Sequence, residues 1–436
     1  MRTGKSSHRA LVGTAVAAAL SLTLAACGGD DGSGGGGEAD GEVTIWTSMD
    51  QPIIDGLEAA LAPKAEEAGI EVKWEKVTGI ESLIMTKLNA SDKPDIAVLP
   101  QPGVVRNVVD RGGAQPLDDV LDMAALEESM LPGVIDAGTV DDQYYGLQIN
   151  ANVKSLVFYP KKAWEQAGYP IPESLDDLTA LTEQIKSDGG TPWCLGIRSE
   201  GSTGWPATDW FEDLVARFGG EDAYRDWVTN ELKFDSDVVR ESAAWFEDNV
   251  LAEGNIPGGR EKAASIDFTV AGNPMFESEP GCWMLKQGTF ITGFFPKNVQ
   301  AALDEEVGVF SFPPAEAGGE NYVVGGGDLA TLLTDDEDTQ EIMKLLAETD
   351  TGTEAAKTGA FISPHADFDA AAYPNEIMRT AYTAATEASA FLFDGSDQMP
   401  GEVGAGTFWN EITAWVSGDT SLDDALANID ASWPAS

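Results

Sequence analysis

Apolar and polar positions near the start of the folded region alternate between strand-like and helix-like spacing. Short β-rich or alternating runs are separated by longer runs with apolar residues at helical spacing, of which the first is expected to be interrupted at Pro63. In chain order the predicted segments are a strand at 43–46, a helix at 53–68, a strand at 70–74, a helix at 81–89, a strand at 95–99 and a helix at 103–111. This β-α-β-α-β rhythm predicts a mainly parallel sheet covered by helices, and therefore an α/β fold.

Two later blocks continue the alternation. A strand at 155–159 opens the second block, which continues with a helix capped by Ser174 and helices near 209–218, 221–230 and 237–250. The third block has strands at 307–310 and 322–324 and a helix at 342–347. The length after residue 42 is too great for one ordinary core and indicates two domains.

The first 26 residues have the pattern of an export signal. Basic residues precede an apolar run over 10–26, and a polar, glycine-rich stretch follows at once. The run ends in Leu24-Ala25-Ala26-Cys27, which resembles the bacterial lipobox. The resemblance implies cleavage before Cys27, acylation including a palmitate-type chain, and anchoring at the outer face of the cell membrane through a flexible tether over 28–41. The alternative is an ordinary signal peptide cut near Ala26, with Cys27 incidental.

The strong net negative charge of the chain limits the kinds of molecule that it can bind. The chain has 74 acidic and 26 basic residues, a formal net charge of −48, and loss of the signal peptide makes the balance more negative. Such a surface repels nucleic acid and anionic substrates. Solubility outside a cell explains most of this charge, and the remainder favours a neutral or cationic ligand.

Cysteine and histidine usage excludes several chemistries. Besides Cys27 the chain has Cys194 and Cys282, and a pair in an exported chain favours a disulfide, with two separate buried thiols as the alternative. His365 alone remains after loss of the signal peptide, so no multi-histidine metal site is expected. No Gly-x-Ser-x-Gly elbow and no phosphate-loop lysine are present. The sequence therefore predicts no metal and no cofactor.

Several segments together resemble a known family. Residues 145–148 and 155–159, with Lys161 and Trp164, look like the first crossing segment of extracellular solute-binding protein family 1, which includes the maltose-binding proteins. Three further stretches, at 190–197, 204–210 and 396–400, resemble the α-glucoside-type binding proteins of bacterial importers.

The family resemblance implies a fold and a function. It implies two lobes that close on a ligand, with the first lobe at 42–150 plus 305–350 and the second at 151–304 plus 351–436. It also implies a monomeric receptor that captures a sugar and delivers it to the permease of an ABC importer.

A sugar has apolar C–H faces and a rim of hydroxyls, so its binder needs aromatic platforms and short polar side chains. The candidate platforms are Trp205, Trp210, Trp283 and Trp409, and core packing is the alternative for each. Trp227 and Trp245 lie in helical segments and are assigned to the core.

The polar candidates include side chains that follow predicted strands, because open α/β sheets place ligands at the carboxyl ends of their strands. The full set is Asp50, Gln51, Gln101, Asp209, Asp328 and Asp397. Asp209 has an alternative role as a helix N-cap, and Asp328 as part of a tight turn with a helix cap after three glycines.

Three functions remain open at this stage. A sugar receptor is favoured by the resemblance, and a receptor of the same fold for a betaine or polyamine is favoured by the acidic charge. An exported glycoside hydrolase would also use tryptophans and paired carboxylates, but with 74 acidic residues such a pair carries little weight.

Overall fold

The computed structural model describes residues 41–434, and the predicted signal peptide, Cys27 and the tether up to residue 40 lie outside them. Two larger β-sheets organise this part of the chain, and β4 and β5 form a separate two-stranded sheet. The larger sheet has six strands. Five of them follow the order β11-β10-β3-β1-β2, and the sixth, β6, also pairs with β10. The smaller sheet has the order β8-β7-β9. Strand bounds are β1 Glu42–Thr47, β2 Glu71–Lys76, β3 Ile96–Leu99, β4 Thr139–Val140, β5 Gln143–Tyr144, β6 Gly146–Val153, β7 Leu156–Pro160, β8 Leu285–Lys286, β9 Val307–Ser311, β10 Tyr322–Leu332 and β11 Ala390–Phe393.

Two chain segments connect the sheets. Strand β6 of the large sheet passes into β7 of the small sheet through Lys154 and Ser155, and β9 of the small sheet leads back into β10. Ser155 ties the two connections together: its Oγ accepts from the Val324 amide at 2.7 Å, and its carbonyl accepts from the Phe312 amide at 2.9 Å. The sheets are therefore coupled where the chain crosses between them.

The large sheet carries the predicted β-α-β-α-β start, with β1 parallel to both β2 and β3. Helix α1 packs beside β2, α14 and α15. The helices in the first part of the chain and those packed with it are α1 Gln51–Ala68, α2 Ile80–Lys87, α3 Pro102–Asp110, α4 Met123–Ser129, α5 Val134–Ala137, α14 Glu337–Leu346, α15 Thr353–Ala356 and α16 Glu376–Thr386.

A second buried cluster lies around the long helix α8, which packs against α9 and α18. The remaining α-helices are α6 Lys161–Ala167, α7 Leu175–Ser187, α8 Trp205–Val228, α9 Asp237–Phe246, α10 Arg260–Ser265, α11 Phe268–Ala271, α12 Lys297–Gln300, α13 Leu303–Glu306, α17 Gly395–Gln398, α18 Trp409–Ser417 and α19 Leu422–Ala431. Short 3₁₀ turns and two π-helical segments, Glu247–Leu251 and Glu402–Phe408, complete the chain.

The predicted lobe bounds stay a prediction, and packing bears on one of them. Helix α15 was assigned by resemblance to the second lobe, yet it packs on α1 so closely that a Cβ at Gly56 would lie 2.5 Å from the Ala355 Cα. This segment therefore shares the core of the large sheet.

Local structure differs from the sequence expectation at three places. Helix α1 continues through Pro63, because burial of Leu57, Leu61 and Ala65 outweighs the hydrogen bond that proline removes. The two helices predicted near 209–218 and 221–230 form one element, α8, kinked at Gly220 with φ 76°.

The third difference concerns the glycine run. Strand β10 continues through Gly325, Gly326 and Gly327, where a turn was expected. A Cβ at Gly325 would lie 2.2 Å from the Asn152 carbonyl oxygen, and one at Gly327 would lie 2.3 Å from that of Asn150. Glycine therefore permits the close approach of β6 to β10.

Cys194 and Cys282 form a disulfide between segments 88 residues apart in sequence. Within residues 41–434, no helix is both long enough and apolar enough to cross a membrane.

Candidate binding site

Lys154 is the centre of a buried charge cluster at the connection from β6 to β7. Its side chain is 12% exposed, and its Nζ donates to Asp209 on α8 at 3.2 Å and to Asp394, which follows β11. Burial opposes the charge on Lys154, but Asp209 and Asp394 outweigh it and raise the lysine pKa well above its usual value. The ammonium group therefore stays protonated and holds three chain segments together.

Glu212 adds a third buried carboxyl group one helical turn after Asp209. An i, i+3 spacing places both side chains on one face of α8. Its Oε1 accepts from the Ser396 amide at 3.3 Å, whereas Oε2 has no hydrogen-bond partner within residues 41–434. Burial, followed by the charges of Asp394 and Asp209, raises the pKa of Glu212 well above its usual value. Its surroundings therefore favour the neutral form of the carboxyl over the ionised one.

Asp209, Glu212 and Asp394 bring their oxygen atoms within 4.8 Å of one another. Lys154 already supplies the cation among them, so we assign no metal to this group. Burial also raises the pKa of Asp209 to about 6, while hydrogen bonds and the lysine charge lower that of Asp394 against the effect of its burial. Asp394 is thus the ionised partner of Lys154 over a wide pH range.

Asp397 connects this cluster to the large sheet. The short helix α17 is capped by Asp394, whose carboxylate accepts from the Asp397 amide at 3.0 Å. The Asp397 carboxylate accepts from Gln101 Nε2 at 2.6 Å, and Gln101 lies just beyond the carboxyl end of β3. Burial and the neighbouring Asp394 raise the pKa of Asp397 to about 7. The structure therefore brings two of the predicted polar residues into direct contact.

Two aromatic candidates lie beside the cluster. The Trp205 ring at the start of α8 has Lys154 Nζ 5.2 Å from its centroid, and it packs edge-on against Phe268 and Phe290. A Cβ at Gly204, where φ is 117°, would lie 2.4 Å from the Trp409 carbonyl oxygen. Glycine at 204 thus allows the first turns of α8 and α18 to meet, which brings the backbone of Trp409 next to the residue that precedes Trp205.

The other tryptophan candidates lie elsewhere. Trp210 is 1% exposed and packs against Trp193, Phe246 and Phe312, so its ring has no free face for a ligand and belongs to the core. Trp283 packs edge-on against Tyr169 at 5.0 Å. Trp227 is fully buried, as the sequence predicted, and Trp245 is half-buried against Trp210.

The remaining polar candidates lie on the large sheet. Asp50 and Gln51 are exposed at the start of α1, where they contact Lys76 at 3.3 Å and Asp55 at 2.8 Å. Asp328 lies inside β10 and accepts from Asn150 Nδ2 at 2.8 Å, so neither a turn nor a helix cap describes it. Burial, with a smaller effect of the Asp50 charge, raises the Asp328 pKa to about 6.

The alternative cap role of Asp209 is also wrong. Helix α8 begins at Trp205 after Gly204, so Asp209 lies in its second turn, and burial of its side chain is explained by the bond to Lys154. Lys154, Glu212 and Asp394 were not predicted at all. A lysine inside an otherwise apolar strand-like stretch, and an acid directly after the apolar run 390–393, were the available signals.

A second buried ion network, centred on Asp213 of α8, lies next to this site. Asp213 accepts from Arg217 Nη1 at 2.7 Å and forms an ion pair with Lys286 Nζ at 2.6 Å, with all three side chains at most 1% exposed. Lys286 also donates to the Asp209 carbonyl at 3.0 Å, and Arg217 donates to the carbonyls of residues 312 and 313. Ser155 Oγ also donates to Asp213 at 2.5 Å, and the network therefore fixes α8 against both connections between the sheets.

Sequence comparison places the chain among receptors for solutes. Residues 51–348 match the family model described as bacterial extracellular solute-binding protein. The osmoprotective compounds-binding protein GgtB of Synechocystis sp. is 33% identical over 417 residues, which cover 95% of this chain and 97% of that protein. The alpha-glucosides-binding periplasmic protein AglE of Rhizobium meliloti is 33% identical over 403 residues, covering 89% and 85%.

Solved structures show the same architecture. The bacterial solute receptor AcbH has a TM-score of 0.73 at 16% identity, over 90% of this chain and 97% of that chain. The cyclic alpha-maltosyl-1,6-maltose binding protein of Arthrobacter globiformis has a TM-score of 0.68 at 19% identity, over 90% and 97%. At these identities the likeness shows the fold alone, which is the predicted two-lobed α/β binding-protein fold.

Proposed function

The chain belongs to the bacterial extracellular solute-binding proteins, and from that premise we propose that its solute is a sugar, an α-glucoside or another oligosaccharide, passed on to the permease of an ABC importer. Members of this family are solute receptors and not enzymes, which removes the glycoside hydrolase from consideration.

The observation that carries the proposal is that the indole of Trp205 lies beside Lys154, which is surrounded by carboxyl groups able to form hydrogen bonds. An indole face suits the C–H face of a pyranose, and carboxylates form strong hydrogen bonds with sugar hydroxyls. Asp397 and Gln101 supply acceptors and donors from two different chain segments that meet at this point. Asp50, Gln51, Asp328, Trp283 and Trp409 complete the proposed ligand-binding set.

The raised pKa values favour a neutral ligand. Four carboxyl groups surround one lysine, but the pKa of Glu212 is well above its usual value and that of Asp397 is about 7. Near neutral pH the cluster therefore carries less negative charge than a count of residues suggests. A neutral sugar fits such a site without an uncompensated buried charge.

Closure of two lobes would complete the site. The large sheet supplies Gln101, and α8 and α17 supply Asp209 and Asp397. Because these elements belong to parts joined by narrow connections, a ligand that contacts both parts stabilises the closed arrangement over the open one. The alpha-glucosides-binding name of one relative supports the same ligand class.

The proposed receptor is a monomer held outside the cell membrane. Acylation of Cys27 after cleavage of the signal peptide would anchor it, and the glycine-rich residues 28–41 would act as the tether.

A thermal-shift screen of residues 42–436 against sugars, polyols, betaines and polyamines tests the ligand class. A ligand specific for the folded state raises stability by about 2.7 kcal/mol at a hundredfold excess over its Kd. We expect shifts with α-linked glucosides. If polyols, betaines or polyamines raised the melting temperature and no sugar did, the proposal that the ligand is a sugar would be refuted.

A second candidate ligand is a cationic or zwitterionic osmoprotectant. The specific observation in its favour is the set of Asp209, Asp394 and Asp397 beside the Trp205 ring, since carboxylates with an aromatic face suit quaternary ammonium groups. A relative carries the name osmoprotective compounds-binding protein. Competition between a disaccharide and glycine betaine at one site distinguishes the two ligands.

A further inference from the structure

The side chain of Lys154 occupies the place where the proposed site would hold a cationic ligand. Its Nζ lies 5.2 Å from the centroid of the Trp205 ring, donates to Asp209 at 3.2 Å and also donates to Asp394. An aromatic face with carboxylates beside it is an arrangement that attracts ammonium groups. The protein therefore supplies its own ammonium group to an arrangement that would otherwise suit an amine.

Lys154 is held in this place at both ends. Its backbone amide donates to the Val324 carbonyl of β10 at 2.9 Å. Its ammonium group contacts the carboxylates of Asp209 and Asp394, whose side chains are 4% and 2% exposed. A ligand cation could take this place only by breaking both ion pairs and leaving the lysine charge buried without a partner, which is strongly unfavourable.

The lysine also determines what an uncharged ligand meets. An ammonium group has three N–H donors, and Asp209 and Asp394 take two of those of Lys154 within residues 41–434. The third donor suits an uncharged oxygen, such as a sugar hydroxyl. A ligand ammonium group beside Nζ would be repelled by it, because like charges interact strongly in a buried site. Discrimination therefore comes from both an attractive contact and a repulsive one.

Lys286 shows a similar arrangement that is closed to ligands. Its Nζ lies 5.5 Å from the centroid of the Trp210 ring and 2.6 Å from Asp213. The side chain of Lys286 is 1% exposed, and Trp210 is also 1% exposed. In contrast, the side chain of Lys154 is 12% exposed and Trp205 is half-buried. Of the two arrangements, the one around Lys154 is open to a ligand.

We infer that Lys154 is a specificity-determining residue, which excludes amines and betaines from the site and admits uncharged ligands that carry hydroxyl groups. The inference rests on the proposed function, because it places the ligand at Trp205. It extends that function by naming the residue that separates the two candidate classes of ligand. Removal of the lysine ammonium group should turn the site into one that binds a quaternary amine, since Asp209, Asp394 and the indole remain.

The test measures binding of choline, and of its isostere with carbon in place of the ammonium nitrogen, by calorimetric titration into residues 42–436. The unmodified protein should bind choline no more tightly than the isostere. Lys154→Ala should bind choline at least about tenfold more tightly than the isostere, which corresponds to about 1.4 kcal/mol. Addition of Trp205→Ala to this variant should remove the preference, because the ring face is lost.

Lys286→Ala is the matched control. It also removes a buried lysine that pairs with an aspartate and lies over a tryptophan ring, but in the closed arrangement. It should gain no preference for choline. Lys154→Gln, which removes the charge and keeps a hydrogen-bond donor, is the second variant and decides the question if Lys154→Ala does not fold.

Three results would overturn the role of Lys154. They are tighter binding of choline than of the isostere by the unmodified protein, no preference for choline in whichever Lys154 variant folds, and an equal preference in Lys286→Ala. The proposed function is tested separately with sugars. If no sugar binds the unmodified protein but the Lys154 variant gains choline, the sugar is refuted and the exclusion of cations by Lys154 stands.

Discussion

Lys154→Met removes the cation that holds the buried carboxyl cluster, and it should destabilise the protein strongly in a pH-dependent way. Lys154 Nζ lies 3.2 Å from Asp209 and also contacts Asp394, whose side chains are 4% and 2% exposed. At an effective dielectric constant of about 20, a charge pair at this distance is worth about 5 kcal/mol before desolvation. Relief of lysine burial offsets part of it, so a loss of about 3–5 kcal/mol in the free energy of unfolding is expected at pH 8.

The loss should shrink at pH 5. Asp209 already has a pKa raised to about 6, mainly by burial, and removal of Lys154 raises it further. A carboxyl whose pKa is higher in the folded than in the unfolded state stabilises the fold at low pH, and that stabilisation disappears as the pH rises through the folded value. The variant therefore recovers stability relative to the wild type as the pH falls.

Urea unfolding at both pH values measures this, with Lys162→Met as the control. Lys162 also pairs with one acid, Glu306, but its side chain is 56% exposed, so little change is expected. If Lys154→Met were no more destabilising than Lys162→Met, or lost the same free energy at pH 5 and pH 8, the assignment of Lys154 as the cation of a buried cluster would be refuted.

Three further predictions concern the site and its support. Trp205→Ala should abolish most ligand affinity at modest cost to stability, whereas Trp210→Ala should cost about 3–5 kcal/mol of stability because it empties a core position. Calorimetric titration measures the affinity and urea unfolding measures the stability. A loss of affinity in Trp210→Ala with a loss of stability in Trp205→Ala would contradict the placement of the rings. Cys282→Ser should lower stability by at most about 4–5 kcal/mol through release of the 88-residue loop, and an unchanged melting temperature would argue against the bond. For the ligand-free protein, Asp397 has a pKa of about 7 in the fold against an ordinary value of 3.8, so its contribution to stability should fall between about pH 4 and pH 7 and level off above that. Asp397→Asn should flatten this slope in a pH series of urea midpoints, and an unchanged slope would contradict the raised pKa.

Much of the large sheet could be predicted from the sequence because its signals are local. Strands β1 and β3 and helices α2 and α3 lie within two residues of their predicted bounds, since short apolar runs and helical spacing are set by near neighbours. Ser174 caps α7 by accepting from the Asp177 amide, as its position suggested. Strand β10 starts at Tyr322 as predicted but continues for eight residues beyond the predicted end at 324, to Leu332. This extension and the unpredicted β11 have another cause. Their pairing partners lie far away in sequence, and three glycines in succession indicate a turn when read alone.

The site was predictable only in part for the same reason. Gln101 and Asp397 were found from a strand end and from a family-like stretch, but their contact spans 296 positions. Lys154, Glu212 and Asp394 escaped because a buried charge is recognised by its partners, and those partners come together only in the fold. The sequence could not tell which of Trp205 and Trp210 belongs to the core. The two residues lie five positions apart in α8, and their position on the helix decides which ring faces the core.

The most direct test of the account is a crystal structure of residues 42–436 with the best sugar from the thermal-shift screen. The account predicts a pyranose ring stacked on Trp205 and hydrogen-bonded to Asp397 and Gln101. A sugar bound away from Trp205 and Asp397, or density for a quaternary amine alone at that place when both ligands are supplied, would contradict it.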